Sequence, residues 1–261
     1  CSNIPGSGEW CPNNYTKKFE GPVTMTRALE ASLNIPAVKI SESVGRDLVR
    51  SVASDFGIKS ELADGPALAL GASESTLLEM TGAYAGILNG GSAVTPFGLL
   101  ELSLLGDDEP LMGIGGGIEE RVIQESSARQ LIWMMEKVVR QGTGKRAQFG
   151  GREIAGKTGT TQGAKDAWFI GFTGDYVAGV WMGYDDNTKL KGVTGGGLPA
   201  DIWRETKQRV HEGVPIKPLP TQEPRQPQQV AQPTEVVPVS NANNRNIIEN
   251  LLFNLLGGND R

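Results

Sequence analysis

Two short clusters of polar residues in this chain could do chemistry together. Lys157-Thr158-Gly159-Thr160 sits inside a strand-like run, Ile154 to Thr161. It supplies an ammonium, two hydroxyls and, at Gly159, a stretch of backbone with no side chain to obstruct a ligand. Ser32-Leu33-Asn34 supplies a hydroxyl and a carboxamide with one residue between them, so in extended chain both face the same side. Acyl transfer from an amide needs a nucleophile, a proton carrier, donors for the developing oxyanion and a hold on the substrate. These residue types suit the last three roles. Taken alone, Ser32-Leu33-Asn34 also reads as a helix C-terminal turn ahead of Pro36.

Lys-Thr-Gly preceded by Ser-x-Asn resembles the serine penicillin-recognising enzymes, which carry a nucleophile in a further, upstream Ser-x-x-Lys. That motif is missing: no lysine here has a serine three positions before it. Thr188-x-x-Lys191 comes after the other two motifs and cannot stand in for it. Other stretches extend the likeness over most of residues 10–210, toward bifunctional, class A penicillin-binding proteins. They include Trp10 to Tyr15, Gly21 to Thr24, Ile35 to Val38, Ala69 to Gly71, Asn89 to Gly91, Gly142-Thr143-Gly144 and Asp166 to Phe169. The resemblance implies the C-terminal part of such an enzyme, cut off downstream of its nucleophile. A start at Cys1 rather than methionine suggests the same, and any membrane anchor is expected upstream.

Several roles follow from the resemblance. Lys157 would supply the cation that attracts a donor carboxylate, and the Thr158 and Thr160 hydroxyls would bind that carboxylate. Gly159 would leave room for close approach, and the Thr160 N–H would be one oxyanion donor. Ser32 would relay a proton, and Asn34 would bond the donor's side-chain amide. The implied partners are a peptidoglycan stem peptide ending in D-Ala-D-Ala, an acceptor strand, and β-lactams as inhibitors. No cofactor or metal is expected, and the implied location is the bacterial inner membrane with the catalytic domain in the periplasm. Alternatives are another acyl-serine enzyme (a D,D-carboxypeptidase or β-lactamase) or a non-catalytic penicillin-binding-like scaffold.

The elements that must position these residues form an α+β pattern. Residues to about 95 read as helical: Thr24 caps Met25 to Ala31, and Val38, Ile40, Val44, Leu48 and Val52 recur at near-helical spacing up to Gly57. Thr76-x-x-Glu79 reads as a capping box opening a helix to Leu88. Residues 97–122 resemble an irregular or hairpin insertion. Ser126 or Ser127 is expected to cap a helix buried through Leu131, Ile132, Met135, Val138 and Val139. Ile154 to Thr160, Ala167 to Thr173 and Tyr176 to Tyr184 predict an antiparallel meander, followed by a helix from Asp201 to His211. The resemblance implies an antiparallel sheet flanked by helices with an all-helical subdomain, of the serine β-lactamase/transpeptidase type, incomplete at its N-terminus and exposing an unpaired sheet edge. Domain bounds are 1–211 for the partial transpeptidase domain, 212–245 for a disordered Pro/Gln-rich linker and 246–257 for an amphipathic tail helix. The tail helix has the apolar stripe of a segment that docks on a partner protein or on this protein's own surface, and the same stripe also fits a frayed tail helix.

Composition narrows the classes further. The 261 residues, 38% hydrophobic, suffice for one substantial core plus a tail. A net charge of -5, with both signs interspersed, lacks the basic stripe of a nucleic-acid binder. Gly113, Gly115, Gly116 and Gly117 lack the βαβ context of a dinucleotide loop. His211, the one histidine, is expected to be solvated beside the linker, which excludes a Ser-His-Asp triad. Cys1 and Cys11 form either a small disulfide or two free thiols. Trp168, Phe169, Phe172 and Trp181 read as sheet packing.

Overall fold

The computed structural model describes residues 2–4, 8–106, 109–113 and 115–224. A small hairpin, β1 (Ser2–Ile4) and β2 (Gly8–Trp10), leads in. Three helices follow, α1 (Met25–Glu30), α2 (Asn34–Val44) and α3 (Arg46–Asp55). Thr24 caps α1 as expected, its hydroxyl accepting from Arg27 N at 3.1 Å. The single helix expected up to Gly57 is instead two. Gly45 takes a φ of 93°, ends α2 and redirects the chain into α3, which leaves Ile40, Val44 and Leu48 exposed.

Helix α4 (Leu77–Leu88) opens on the predicted capping box. Strands β3 (Ser92–Thr95) and β4 (Gly117–Arg121) pair across the insertion, which is thus a hairpin. Helix α5 (Glu125–Arg140) begins ahead of the expected serine caps, from Gln124, with no side-chain cap bond. Its Ile132, Met135, Val138 and Val139 are buried as the spacing predicts.

The meander is confirmed. Strands β5 (Ala155–Thr160), β6 (Ala167–Phe172) and β7 (Val177–Met182) pair antiparallel in sequence order, so β5 and β7 are the edges of this sheet. Alternation sends Phe169 and Phe172 to opposite faces, and each seeds a core. On one face Phe169 meets Trp203 edge to face, centroids 5.2 Å apart, beside Val139, Ile154 and Ala200; Trp203 belongs to α6 (Leu198–Val210). On the other, Phe172 packs with Ile132, Met135, Ala155 and Leu219. Trp168 and Trp181 lie on this second face as well; Trp181 is exposed and donates to Asp166 Oδ1 at 3.0 Å.

Two further expectations are corrected. His211 is buried, its ring nitrogens 2.9 Å from Thr173 Oγ1 and 2.7 Å from Lys207 O, between the Phe149 and Tyr176 rings. Disorder from residue 212 does not hold over the described part: Arg152 donates to the carbonyls of Val214 and Pro215, Leu219 N donates to Glu153 Oε2 at 2.8 Å, and Leu219 is buried. Composition points to a linker because a run rich in Pro, Gln, Val and Thr has little to bury, yet extended chain of this kind can still bury a single leucine. The rest of the linker and the tail helix at 246–257 lie outside the described residues, as does Cys1. Cys11 is disulfide-bonded.

Candidate active site

The site begins with how α1 ends. Leu33 N donates to Ala28 O at 2.9 Å and Ser32 N to Leu29 O at 3.2 Å, the paired bonds of a Schellman turn. The left-handed position of such a turn favours glycine, and here it holds Ser32 at a φ of 54°. The buried side chain of Leu33 anchors the turn. The helix-ending reading of Ser32-Leu33-Asn34 therefore holds, and that turn aims the Ser32 hydroxyl at Lys157, whose Nζ donates to Ser32 Oγ at 2.8 Å.

Asn14 fixes the turn from the other side. Its buried carboxamide oxygen accepts from Asn34 N at 3.0 Å and Ile35 N at 3.4 Å, and its Nδ2 donates to Lys18 O at 2.8 Å. It thereby supplies the cap that α2 lacks from its own N-terminal residue. Asn34 turns its own Nδ2 to Asn13 O at 2.7 Å. Sequence inspection missed Asn14 as a positioning residue, since only the fold brings its partners close.

Strand β5 supplies the rest. Lys157 is partly buried, and burial lowers its ammonium pKa to about 8. The same Nζ donates to Thr158 O at 2.8 Å. Beyond the strand end, Thr161 N donates to Asp166 O at 3.0 Å. By the alternation of an antiparallel ladder, the Thr160–Ala167 and Thr158–Phe169 pairs are then non-hydrogen-bonded. The Thr160 and Thr158 N–H groups thus point away from β6, toward the free edge of the sheet. Thr160 Oγ1 accepts from Gly195 N at 3.0 Å and keeps its own proton to donate.

One neighbour went unpredicted as a site residue. Thr143, exposed on the turn after α5, places its hydroxyl 2.8 Å from that of Thr158. Gly142-Thr143-Gly144 carried only a family likeness, because its contacts lie far away in sequence: Thr143 N donates to Glu30 O at 3.2 Å. Arranged together are a cation, four hydroxyls (Ser32, Thr143, Thr158 and Thr160) and outward backbone donors beside one open strand edge, a set that can bind and polarise an extended acyl donor ending in a carboxylate. Among the described residues, no cluster of three or more His, Cys, Asp or Glu side chains forms a metal site, and no helix is long and apolar enough to cross a membrane.

Residues 3–202 match the family model described as the penicillin binding protein transpeptidase domain. The chain is 32% identical over 243 residues to penicillin-binding protein 1A of Rickettsia conorii, covering 84% of this chain and 30% of that protein. To penicillin-binding protein 1A of Aquifex aeolicus it is 37% identical over 206 residues, covering 76% and 27%. The chain therefore spans less than a third of these relatives' lengths. Among solved structures, penicillin-binding protein 1A of Haemophilus influenzae superposes with a TM-score of 0.72 at 27% identity, over 83% of this chain and 38% of that one. PonA1 of Mycobacterium tuberculosis in complex with penicillin V shares the fold, with a TM-score of 0.71 at 24% identity, over 82% and 65%.

Proposed function

We propose, from the premise that the chain belongs to the penicillin-binding protein transpeptidase domain family, that it forms the larger part of a peptidoglycan D,D-transpeptidase domain in a bifunctional cell-wall synthase. The nucleophile is a serine outside this sequence, which contains no Ser-x-x-Lys. That serine attacks the carbonyl of the penultimate D-Ala of a stem peptide and forms an acyl-enzyme as the terminal D-Ala leaves. An amine of a neighbouring strand then takes the acyl group and frees the serine. β-Lactams acylate the same serine. The catalytic domain works in the periplasm, on a protein anchored upstream in the inner membrane.

The observation that carries this reading is the 2.8 Å bond from Lys157 Nζ to Ser32 Oγ. It joins the two motifs into one proton path, since a hydroxyl held by an ammonium can pass a proton to a leaving amine and regain one from the cation. Thr160 N–H on the free strand edge serves as an oxyanion donor. Thr158 and Thr160 take the donor's carboxylate, Gly159 lets it close on the strand, and Asn34 bonds its side-chain amide. The test is labelling with fluorescent penicillin. The longer gene product carrying this chain should label, Lys157→Ala should label at least tenfold more slowly, and this chain alone should not label. Labelling unaffected by Lys157→Ala would overturn the proposal.

A further inference from the structure

We propose that Thr143 is a positioning residue of the acyl-donor site, one that sets the Thr158 hydroxyl to donate to the donor's terminal carboxylate. This rests on the transpeptidase reading above and adds to it a residue that belongs to neither motif. A hydroxyl has one proton and two lone pairs. In the 2.8 Å pair of Thr143 and Thr158, one hydroxyl spends its proton on the other, and the acceptor's proton stays free. The pair thus always presents one free O–H. With Thr143 donating, that O–H belongs to Thr158, on the strand that carries Lys157.

What makes Thr143 suited to this is how firmly its turn is held. Gly142 N donates to Lys137 O at 3.0 Å, Gly144 N to Val138 O at 2.9 Å and Thr143 N to Glu30 O at 3.2 Å. Below the turn, the buried Glu30 carboxylate is gripped by Arg27 Nη1 at 2.7 Å and Gln141 Nε2 at 2.8 Å. Gly142 fits because a side chain there would run into the Glu30 carbonyl, and Gly196 fits because one would run into the Thr143 carbonyl. Glu30 is two residues before Ser32. One carbonyl therefore ties the carboxylate side of the cleft to the turn that carries the proton relay, so the two sides keep a fixed spacing. Thr143 itself is exposed, so its side chain is not kept for buried packing, and its hydroxyl is committed to Thr158.

The test compares Thr143→Val and Thr143→Ser in the longest gene product that carries this chain. Acylation rates are measured with benzylpenicillin and with its methyl ester, which lacks the carboxylate. Thr143→Val should slow the carboxylate form about tenfold, the upper end of what one lost neutral hydrogen bond is worth. It should leave the slow reaction of the ester and the melting temperature unchanged, and Thr143→Ser should restore the rate. Equal losses on both ligands, a wild-type rate in Thr143→Val, or failure of the serine variant to rescue would each overturn the proposal. A wild-type product that takes no penicillin counts against the transpeptidase reading instead. NMR titration of that product with N-acetyl-D-Ala-D-Ala then decides the role of Thr143: weaker binding in Thr143→Val, recovered in Thr143→Ser, supports it, and unchanged or undetectable binding overturns it.

Discussion

Lys157 Nζ and Ser32 Oγ meet at 2.8 Å although 125 residues separate them, and each is held at a local cost. Ser32 occupies a left-handed backbone position at a φ of 54°, and the Lys157 ammonium is partly buried with its pKa lowered to about 8. A non-glycine residue in that conformation costs on the order of 1 kcal/mol, and burial disfavours the charged lysine. Strain gathered at two residues that touch is what the proposed role of this pair leads one to expect, because local strain concentrates at functional sites. Ser32→Gly should therefore match or exceed the parent in denaturant midpoint while losing penicillin labelling in the full gene product. A clearly destabilised Ser32→Gly would show that the serine hydroxyl also supports the fold.

The lowered Lys157 pKa sets a pH dependence. A lysine depressed in the fold binds fewer protons there than in the unfolded chain between about 8 and its ordinary 10.5. Stability from this group therefore rises as pH climbs through that window, with the full burial penalty present below about 8. Attraction for a carboxylate runs the other way and fades as the ammonium deprotonates. Binding of N-acetyl-D-Ala-D-Ala should weaken as pH passes through about 8, and Lys157→Arg should shift that loss to higher pH. A binding profile flat from pH 7 to 9.5 would exclude Lys157 as the cation.

Asn14→Ala removes the cap that α2 receives from outside its own sequence. It leaves Asn34 N and Ile35 N without their acceptor and Lys18 O without its donor. Loss of a helix cap costs about 0.5–2 kcal/mol, and the buried site places this one toward the upper end. Urea denaturation measures the loss, and hydrogen exchange should quicken at residues 32–35 before it does in β5 to β7. Asn14→Asp keeps the acceptor and should recover most of the stability.

The parts of this fold legible in the sequence are those fixed by local rules. Thr24 and the Thr76–Glu79 capping box announce α1 and α4, the spacing of Ile132, Met135, Val138 and Val139 announces the buried face of α5, and the alternation from Ala155 to Met182 announces the meander. Lys157, Thr158, Thr160 and Ser32 could be singled out because motifs carry a signal in their order. Asn14, Glu30 and Thr143 could not, since each works through partners distant in sequence: Glu30 reaches Gln141, 111 residues on. The break at Gly45 was hidden because Val44 and Leu48 keep a helical spacing across it, while His211 read as solvated because its partners, Thr173 and Tyr176, belong to the sheet.

Glu79 binds more than its capping box. Its carboxylate accepts from Lys59 N at 3.0 Å, Ser60 N at 3.1 Å, Ser60 Oγ at 2.6 Å and Thr76 N at 3.0 Å, which fastens the chain after α3 to the start of α4. These bonds, led by that from Ser60, hold its pKa at about 2 against an ordinary 4.5. A depressed carboxyl stabilises the fold above its unfolded pKa, and the gain is lost as pH falls toward about 2. The melting-temperature difference between wild type and Glu79→Gln should be full at pH 6, shrink below pH 4.5 and nearly vanish at pH 2. A difference independent of pH would mean that the neutral amide loses packing rather than charge-assisted bonds.

His211 closes the far end of the same domain. Burial, its leading influence, pushes the imidazole pKa down, so the ring is neutral in the fold at pH 7. The groups facing it are Lys207 and Arg152, which oppose a second positive charge, and Asp175, which favours one. An unfolded histidine takes a proton as pH drops through 6.5 and the folded one resists, so stability falls on acidification below about 6.5. Because Thr173 Oγ1 bonds the ring and Arg152 holds Val214 and Pro215 alongside, the loss should appear first where residues 214–222 lie on the sheet. Hydrogen exchange at pH 5.5 against pH 7.5 should show Leu219 N released from Glu153 ahead of the strands. His211→Phe, which keeps the ring contacts with Phe149 and Tyr176 but cannot titrate, should remove the pH difference at the cost of the Thr173 bond. If Leu219 exchanges equally at both pH values in the wild type, His211 is a packing residue and no titration is coupled to this segment.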